Sequence, residues 1–244
     1  MSATLHQKII SHVKTALFPF FELKNYSYEI LKSQIFNDTI KECRWLQYKS
    51  FSVNSWAVDY ALLYTIFKVL QTMKPEKTIE FGLGQSSKLI HQYANYYHQK
   101  VSAVTVEHDT QWIDFFKNEI DGLYDLNIHV AELCTEQYKG YSTCSYKDIV
   151  ELFPNQKFNF LLVDGPYGSK RYSRSQIIKF VPNLLADSFC IVIDDCDRKG
   201  ELDTVKEICR LMDKNNIVYH KKWYRGMKKH YLICSKDMPF LTSL

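Results

Sequence analysis

"NIVYHKKWYRGMKKHYLICS", residues Asn216 to Ser235, decides between two topologies. Its two β-rich runs, Asn216 to Tyr224 and Lys229 to Ser235, are separated only by "RGMK". A parallel crossover needs about a dozen residues or more, so four residues close an antiparallel hairpin. Upstream lie five more apolar runs: "KTIEFG", "VSAVTVE", "LNIHVAE", "FNFLLVDG" and "SFCIVIDD". Helix-like stretches separate them at Ser86 to Tyr97, Gln111 to Ile120, Tyr146 to Phe153 and Ser173 to Leu185, and Leu202 to Asn215 precedes the hairpin. Short apolar runs alternating with helices mark βαβ units around a mainly parallel sheet. The expected fold is α/β: a three-layer sandwich with a mostly parallel seven-stranded sheet and an antiparallel terminal hairpin. A dinucleotide-binding Rossmann chain would continue with parallel units instead.

Residues 1–74 lack comparable strand alternation and are expected to be helical, over Leu5 to Phe18, Tyr26 to Phe36 and Ser55 to Met73. The last stretch carries a stripe of Trp56, Leu63, Ile66, Phe67 and Leu70, suited to packing on the sheet, and Pro75 ends it. With no linker of Pro/Ser composition, residues 1–74 form an N-terminal helical extension packed on the main domain, residues 75–244. Such an extension covers the active site, forms a homodimer contact or simply packs.

The formal net charge is +4, from 31 basic and 27 acidic residues, too mild to imply nucleic-acid binding but compatible with an anionic substrate. Seven scattered cysteines without a C-x-x-C pair argue against a disulfide framework and a zinc site. The N-terminus holds neither a membrane-spanning apolar run nor a signal cleavage site, so a cytoplasmic location is expected. The Phe18 to Phe21 patch suits a helix contact or a peripheral membrane contact.

The first apolar run leads into "EFGLGQSS", where Gly82 and Gly84 follow Glu80 and Phe81. A strand, a glycine loop and a helix N-terminus at the carboxyl edge of a parallel sheet form a ligand position, with glycines allowing positive φ and close backbone approach. Ser87 stands where a dinucleotide fingerprint has its third glycine. Glu107 ends the second run, placed to accept hydrogen bonds from both hydroxyls of a ribose. Glu80 beside the loop would repel a pyrophosphate but tolerates a cationic sulfonium and an ammonium group.

The set "EFGLGQSS", "VEHD" and "LLVDGPYGSKRYSR" resembles the class I S-adenosylmethionine-dependent methyltransferases across about residues 55–235. Within them, "FGLGQSS" followed by "VDGP" is similar to glucuronoxylan-type, polysaccharide-associated O-methyltransferases. The resemblance implies a Rossmann-like methyltransferase fold, S-adenosyl-L-methionine as cofactor and a carbohydrate or other small hydroxylated acceptor. It implies that Glu80, Phe81, Gly82 and Gly84 line the methionine end of the cofactor, with Ser86 and Ser87 opening the next helix beside it. Glu107 would hold the ribose, His108 would flank the adenine with Ala131 and Glu132 near it, and Asp164 would also meet the cofactor.

Asp164 ends the fourth run and Asp194, Asp195 and Asp197 follow the fifth. Asp164, Asp194 and Asp195 together could ligate Mg²⁺ or another divalent cation. Catechol-type O-methyltransferases are similar in using an aspartate and an Asp-Asn pair there, although the second of the pair is acidic in this chain. Methyl transfer to a hydroxyl needs a base, for which Asp164, Asp194 and Lys170 are the candidates. Lys170, Arg171 and Arg174 form either a solvated loop or an anion-binding patch for a uronic acid or phosphorylated sugar. His91, His98, His220 and His230 have no metal-ligand spacing and are expected to be surface or packing residues. Trp223, Tyr224 and Tyr231 either stack on sugar rings or pack the hairpin. Two other functions compete: a non-catalytic methyltransferase-like binding protein, and an NAD-linked sugar-nucleotide oxidoreductase, for which no convincing hydride-transfer set is present.

Overall fold

Side chains along the central strands point alternately to opposite faces of the sheet, and because both faces are covered these strands are buried almost throughout. The computed structural model describes residues 5–53 and 57–244, with side chains from residue 23 onward. Strands β1 (Lys77–Phe81), β6 (Phe158–Val163), β7 (Leu185–Ile193) and β9 (Lys229–Ser235) lie at its centre. Ile79, Phe81, Leu161, Val163, Ile191, Ile193 and Ile233 enter one core, while Phe160, Leu162, Cys190, Val192, Leu232 and Cys234 enter the other. Helices α1 (Leu5–Ile40), α2 (Tyr60–Met73) and α3 (Gln85–Tyr96) cover the second face, through residues such as Phe36, Phe67 and Ile90. Helix α5 (Lys199–Lys214) and a 3-10 helix (Ser175–Phe180) cover the first.

With β2 (Ser102–Glu107), β3 (Ile128–Val130) and β8 (Tyr219–Arg225) added, the strand order is β3-β2-β1-β6-β7-β9-β8. Neighbours from β3 to β7 pair in parallel. Strand β9 alone runs against its neighbours, inserted between β7 and β8. This is the order of the Rossmann-like methyltransferase sheet, as the short "RGMK" connection requires. Helix α4 (Thr110–Ile120) follows β2 and carries a small satellite core of Leu83, Ile113, Phe116 and Ile120. Among the described residues no helix is long and apolar enough to cross a membrane.

Several expected boundaries move for local reasons. The first two expected helices are one continuous α1, and α2 starts at Tyr60, where Asp59 caps it by accepting from the Leu62 N–H at 2.8 Å. Trp56 and the side chains of the Phe18 to Phe21 patch lie outside the described residues. The expected helix at Tyr146 to Phe153 does not form. Instead β4 (Leu133–Tyr138) and β5 (Tyr141–Tyr146) make a separate antiparallel hairpin, closed by Lys139 and Gly140 at φ 49° and 79°. Positive φ at both central residues matches the twist of a two-residue hairpin, so "YKGY" was its sequence signal. The helix expected from Ser173 to Leu185 shrinks to the 3-10 segment, because Pro182 cannot continue it. All seven cysteines are free.

Helices α1 and α2 also grip the turn of the terminal hairpin. Asp59 accepts the Lys228 N–H at 3.0 Å, Arg225 donates to Asn25 at 3.0 Å, and Thr65 and His230 pair at 2.9 Å. A Cβ on Gly226 would stand 2.6 Å from Asp59 Oδ2 and 2.7 Å from Ala61 Cβ, so the turn and the helix start are in close contact.

The loop after β1 separates two glycines that look alike in sequence. Gly82 has φ +96° and a Cβ there would lie 3.0 Å from the Gly165 nitrogen, whereas Gly84 has an extended φ of −170° and open space around its Cβ position. Gly82→Ala is expected to lower unfolding free energy by about 1–3 kcal/mol, and Gly84→Ala to change it by under about 0.5 kcal/mol, in urea denaturation. Equal effects at both positions would contradict this placement.

Candidate active site

The carboxyl ends of β1, β2, β6 and β7 converge on one side of the sheet, where two adjoining cavities of about 620 and 540 Å³ share Leu83, Glu107, His108, Asp164 and Tyr167. Their size is that of small-molecule sites. Gly84 and Gln85 border the first cavity and Gly82 borders the second, so the loop after β1 runs along both.

Glu107 is 5 % exposed and heavily organised. Its Oε2 accepts the Leu83 N–H at 2.9 Å, and its Oε1 accepts the N–H groups of His108 and Asp109 at 2.7 and 3.0 Å. The carboxylate therefore ties the glycine loop to the end of β2 while still bordering both cavities. His108 Nε2 lies 3.2 Å from the Tyr167 hydroxyl, and the two rings meet edge to face above the site. Trp112, fixed by a 2.8 Å bond from Nε1 to the Leu83 carbonyl, and Phe115 add an aromatic wall from α4.

Glu80, Ser86 and Ser87 lie behind the loop rather than in the cavity. Glu80 is fully buried, and it accepts from Ser86 and Ser87 at 2.6 Å and from Thr105 at 2.7 Å. His91 Nε2, 2.8 Å from the Thr105 hydroxyl, completes this group. The network fixes the first turn of α3 to β1 and β2, so Glu80 shapes the loop from behind and does not border either cavity. Phe81 is likewise a core residue, stacked on Tyr146 at 6.0 Å. Ala131 is buried and Glu132 is exposed, ion-paired with Lys147 at 3.6 Å, and neither borders the cavities.

Asp164, Asp194 and Asp195 do come together, with one carboxylate oxygen of each within 4.8 Å of the others. Three cations approach them. Arg174 reaches Asp195 at 2.7 Å and Asp164 at 3.4 Å. Lys228 Nζ lies 2.8 Å from Asp194 and 3.2 Å from Asp195, and Arg198 approaches Asp195 at 3.2 Å. Burial and then Asp194 raise the Asp164 carboxyl to about 7, against Arg174 and Lys228. Burial also pushes Asp195 upward, but Arg174, Lys228 and Arg198 override it and hold that carboxyl below its usual range. The donor set does not fit a divalent cation: each of the three carboxylates already faces a side-chain cation, and a metal there would compete with Lys228.

Lys170 is exposed and does not border either cavity, so it is not placed to act as a base. Arg171 is ion-paired with Asp203 and stacked over Tyr141 at 4.7 Å, and Arg174 is committed to the carboxylates. The anion patch expected from these three residues is thus divided among other partners. Tyr224 is buried and donates to the Leu241 carbonyl at 2.7 Å, Tyr231 packs partly against the core, and Trp223 is exposed beside Lys229, so the three form no sugar-stacking platform at the site. His91 and His230 are buried packing residues, lowered by desolvation to about 4 and about 3.

Sequence reasoning missed Lys228, which looks like an ordinary turn lysine, and Tyr146. Among the described residues the buried Tyr146 hydroxyl has no hydrogen-bond partner, and Tyr146 borders the second cavity. Only the hairpin's position beside β7 reveals the first, and only the unexpected β5 reveals the second.

No protein-family model matches the chain, and no curated protein matches it. Among solved structures, it is similar to a provisionally described caffeoyl-CoA O-methyltransferase from Staphylococcus aureus, at 13% identity and TM-score 0.49, covering 91% of this chain and 98% of that one. An O-methyltransferase from Bacillus cereus in complex with SAH matches at 13% identity and TM-score 0.46, over 86% of this chain and 91% of that one. The O-methyltransferase TomG from Streptomyces achromogenes, in complex with SAM, matches at 9% identity and TM-score 0.47, over 86% and 97%. At these identities and scores the fold rests on the strand order described above.

Burial first, and Glu107 last, raise Glu80 from 4.5 to about 7, while its three hydroxyl partners pull it down. A carboxyl whose folded value exceeds its unfolded value costs stability as pH rises between the two. Glu80→Gln removes that ionisation, so the stability of the variant relative to the parent is expected to rise by on the order of 2 kcal/mol between pH 4.5 and 8. Thermal unfolding at a series of pH values measures this, and a pH-independent difference would contradict it.

Proposed function

We propose that the protein is an S-adenosylmethionine-dependent methyltransferase acting on a hydroxyl group of a small acceptor. The single observation carrying this reading is Glu107, a buried carboxylate held at the end of β2 by three backbone N–H groups and bordering both cavities. A carboxylate so placed accepts both hydroxyls of a ribose. Open space beyond Gly84 and the bordering Gly82 favour close approach of a ligand to the loop backbone. The aromatic wall of Trp112, Phe115 and Tyr167 suits the nonpolar parts of a nucleoside ligand.

S-adenosylmethionine supplies an electrophilic methyl group when bound. Glu107 would hold the ribose, His108 and Tyr167 would hold the base, and the loop from Gly82 to Gly84 would hold the methionine portion. Asp164, raised to about 7, takes the proton of the acceptor hydroxyl, since a base works best near the operating pH. Asp194 and Lys170 are the weaker alternatives: Asp194 is 1 % exposed and bound to Lys228, and Lys170 is remote from the cavity border. A carbohydrate is the acceptor class proposed, on the strength of the sequence resemblance and of the cationic edge that Arg198 and Lys228 give the second cavity.

Titration calorimetry with S-adenosylhomocysteine and NAD⁺ tests the reading. Saturable binding of the first and none of the second is expected, and Glu107→Gln should weaken it by about 1.5–3 kcal/mol, roughly 10- to 150-fold. Binding of NAD⁺ alone, or unchanged affinity in the variant, would reject the reading.

A further inference from the structure

The disagreement between the carboxylate trio and a divalent cation has a positive side. Lys228 is not a surface lysine near an acidic patch: its side chain is only 18 % exposed and its ammonium touches Asp194 and Asp195 at once. Its backbone is fixed as well. The Lys228 N–H donates to Asp59 at 3.0 Å, its carbonyl accepts from Gly226 at 2.9 Å, and the turn is held against α2. Arg174, itself buried, closes the opposite side of the cluster through Asp195 and Asp164. The ammonium is thus ion-paired with two carboxylates, and Lys228 also borders the second cavity.

We infer that the Lys228 ammonium takes the place of a divalent cation at this edge, making the site metal-free and offering an N–H to the acceptor oxygen. The fixed ammonium does two things a metal would do there: it holds Asp194 and Asp195 in place and puts a positive charge at the cavity surface. It does so as a point charge with directed donors, which suits an oxygen approaching from the cavity. The contact with an acceptor rests on the methyltransferase reading; the exclusion of metal does not.

Mn²⁺ titration of the full chain, followed by electron paramagnetic resonance, tests the inference. The parent protein is expected to bind no Mn²⁺ below roughly millimolar concentration, and Lys228→Ala to bind it about tenfold more tightly or better, because the freed carboxylates then offer hard oxygen ligands. Adding Asp194→Asn to that variant should remove the gained binding. Circular dichroism checks the fold, and Lys228→Gln replaces Lys228→Ala if the latter does not fold. Tight Mn²⁺ binding by the parent that Asp194→Asn abolishes would overturn the inference, as would a folded Lys228 variant with no gain. Binding of S-adenosylhomocysteine to the parent is measured in parallel, so failure of the methyltransferase reading is distinguishable from failure of the metal result.

Discussion

Asp194 and Asp195 follow the central strand β7 almost fully buried, and Lys228 and Arg174 approach them within ion-pair distance. Buried carboxylates left alone would protonate or unfold the region, and removing one partner of such a pair costs about 3–5 kcal/mol. That requirement reaches far along the chain. Arg174 arrives from the segment after β6, whose own end supplies Asp164. Lys228 arrives from the β8–β9 turn, which is positioned only when Asp59 and the start of α2 are packed beneath it. The N-terminal helices therefore bear on the chemistry by fixing a lysine, without themselves supplying a charge to the cavity.

Two polar systems meet at the glycine loop and divide the work. Behind it, Glu80 with Ser86, Ser87, Thr105 and His91 forms a closed network in the core that sets the entry of α3. In front, Glu107 binds the loop through the Leu83 N–H and keeps its place beside the cavities. The close crossing of Gly82 and Gly165 joins the ends of β1 and β6, bringing Asp164 beside the loop. The loop's shape is thus determined from both sides, as a preorganised binding surface requires.

Topology was legible in the sequence because its signals are local. A four-residue link forces a hairpin, and apolar runs alternating with helices force parallel pairing. The position of Glu107 and Asp164 at the cavity border was legible for the same reason, since strand ends mark the carboxyl edge of a parallel sheet. The surroundings of Lys170 and Lys228 were not legible: Lys170 lies six residues after Asp164 yet is exposed, and Lys228 gains its carboxylate partners only through sheet order. Glu80 misled in another way, because a carboxylate beside a glycine loop looks the same in sequence whether it faces the ligand or the serines behind. The β4–β5 hairpin was missed because its signal, the turn at Lys139 and Gly140, lies upstream of the stretch from Tyr146 to Phe153 that was expected to be helical.

A crystal structure of the protein grown with S-adenosylhomocysteine and Mg²⁺ distinguishes a lysine-held carboxylate cluster from a metal-held one. Both ribose hydroxyls are expected on Glu107, with the ligand running along the loop from Gly82 to Gly84 and the Lys228 ammonium between Asp194 and Asp195 with no metal density there. A ligand bound away from Glu107, or a hydrated metal ion among the three aspartates with Lys228 turned outward, would contradict that arrangement.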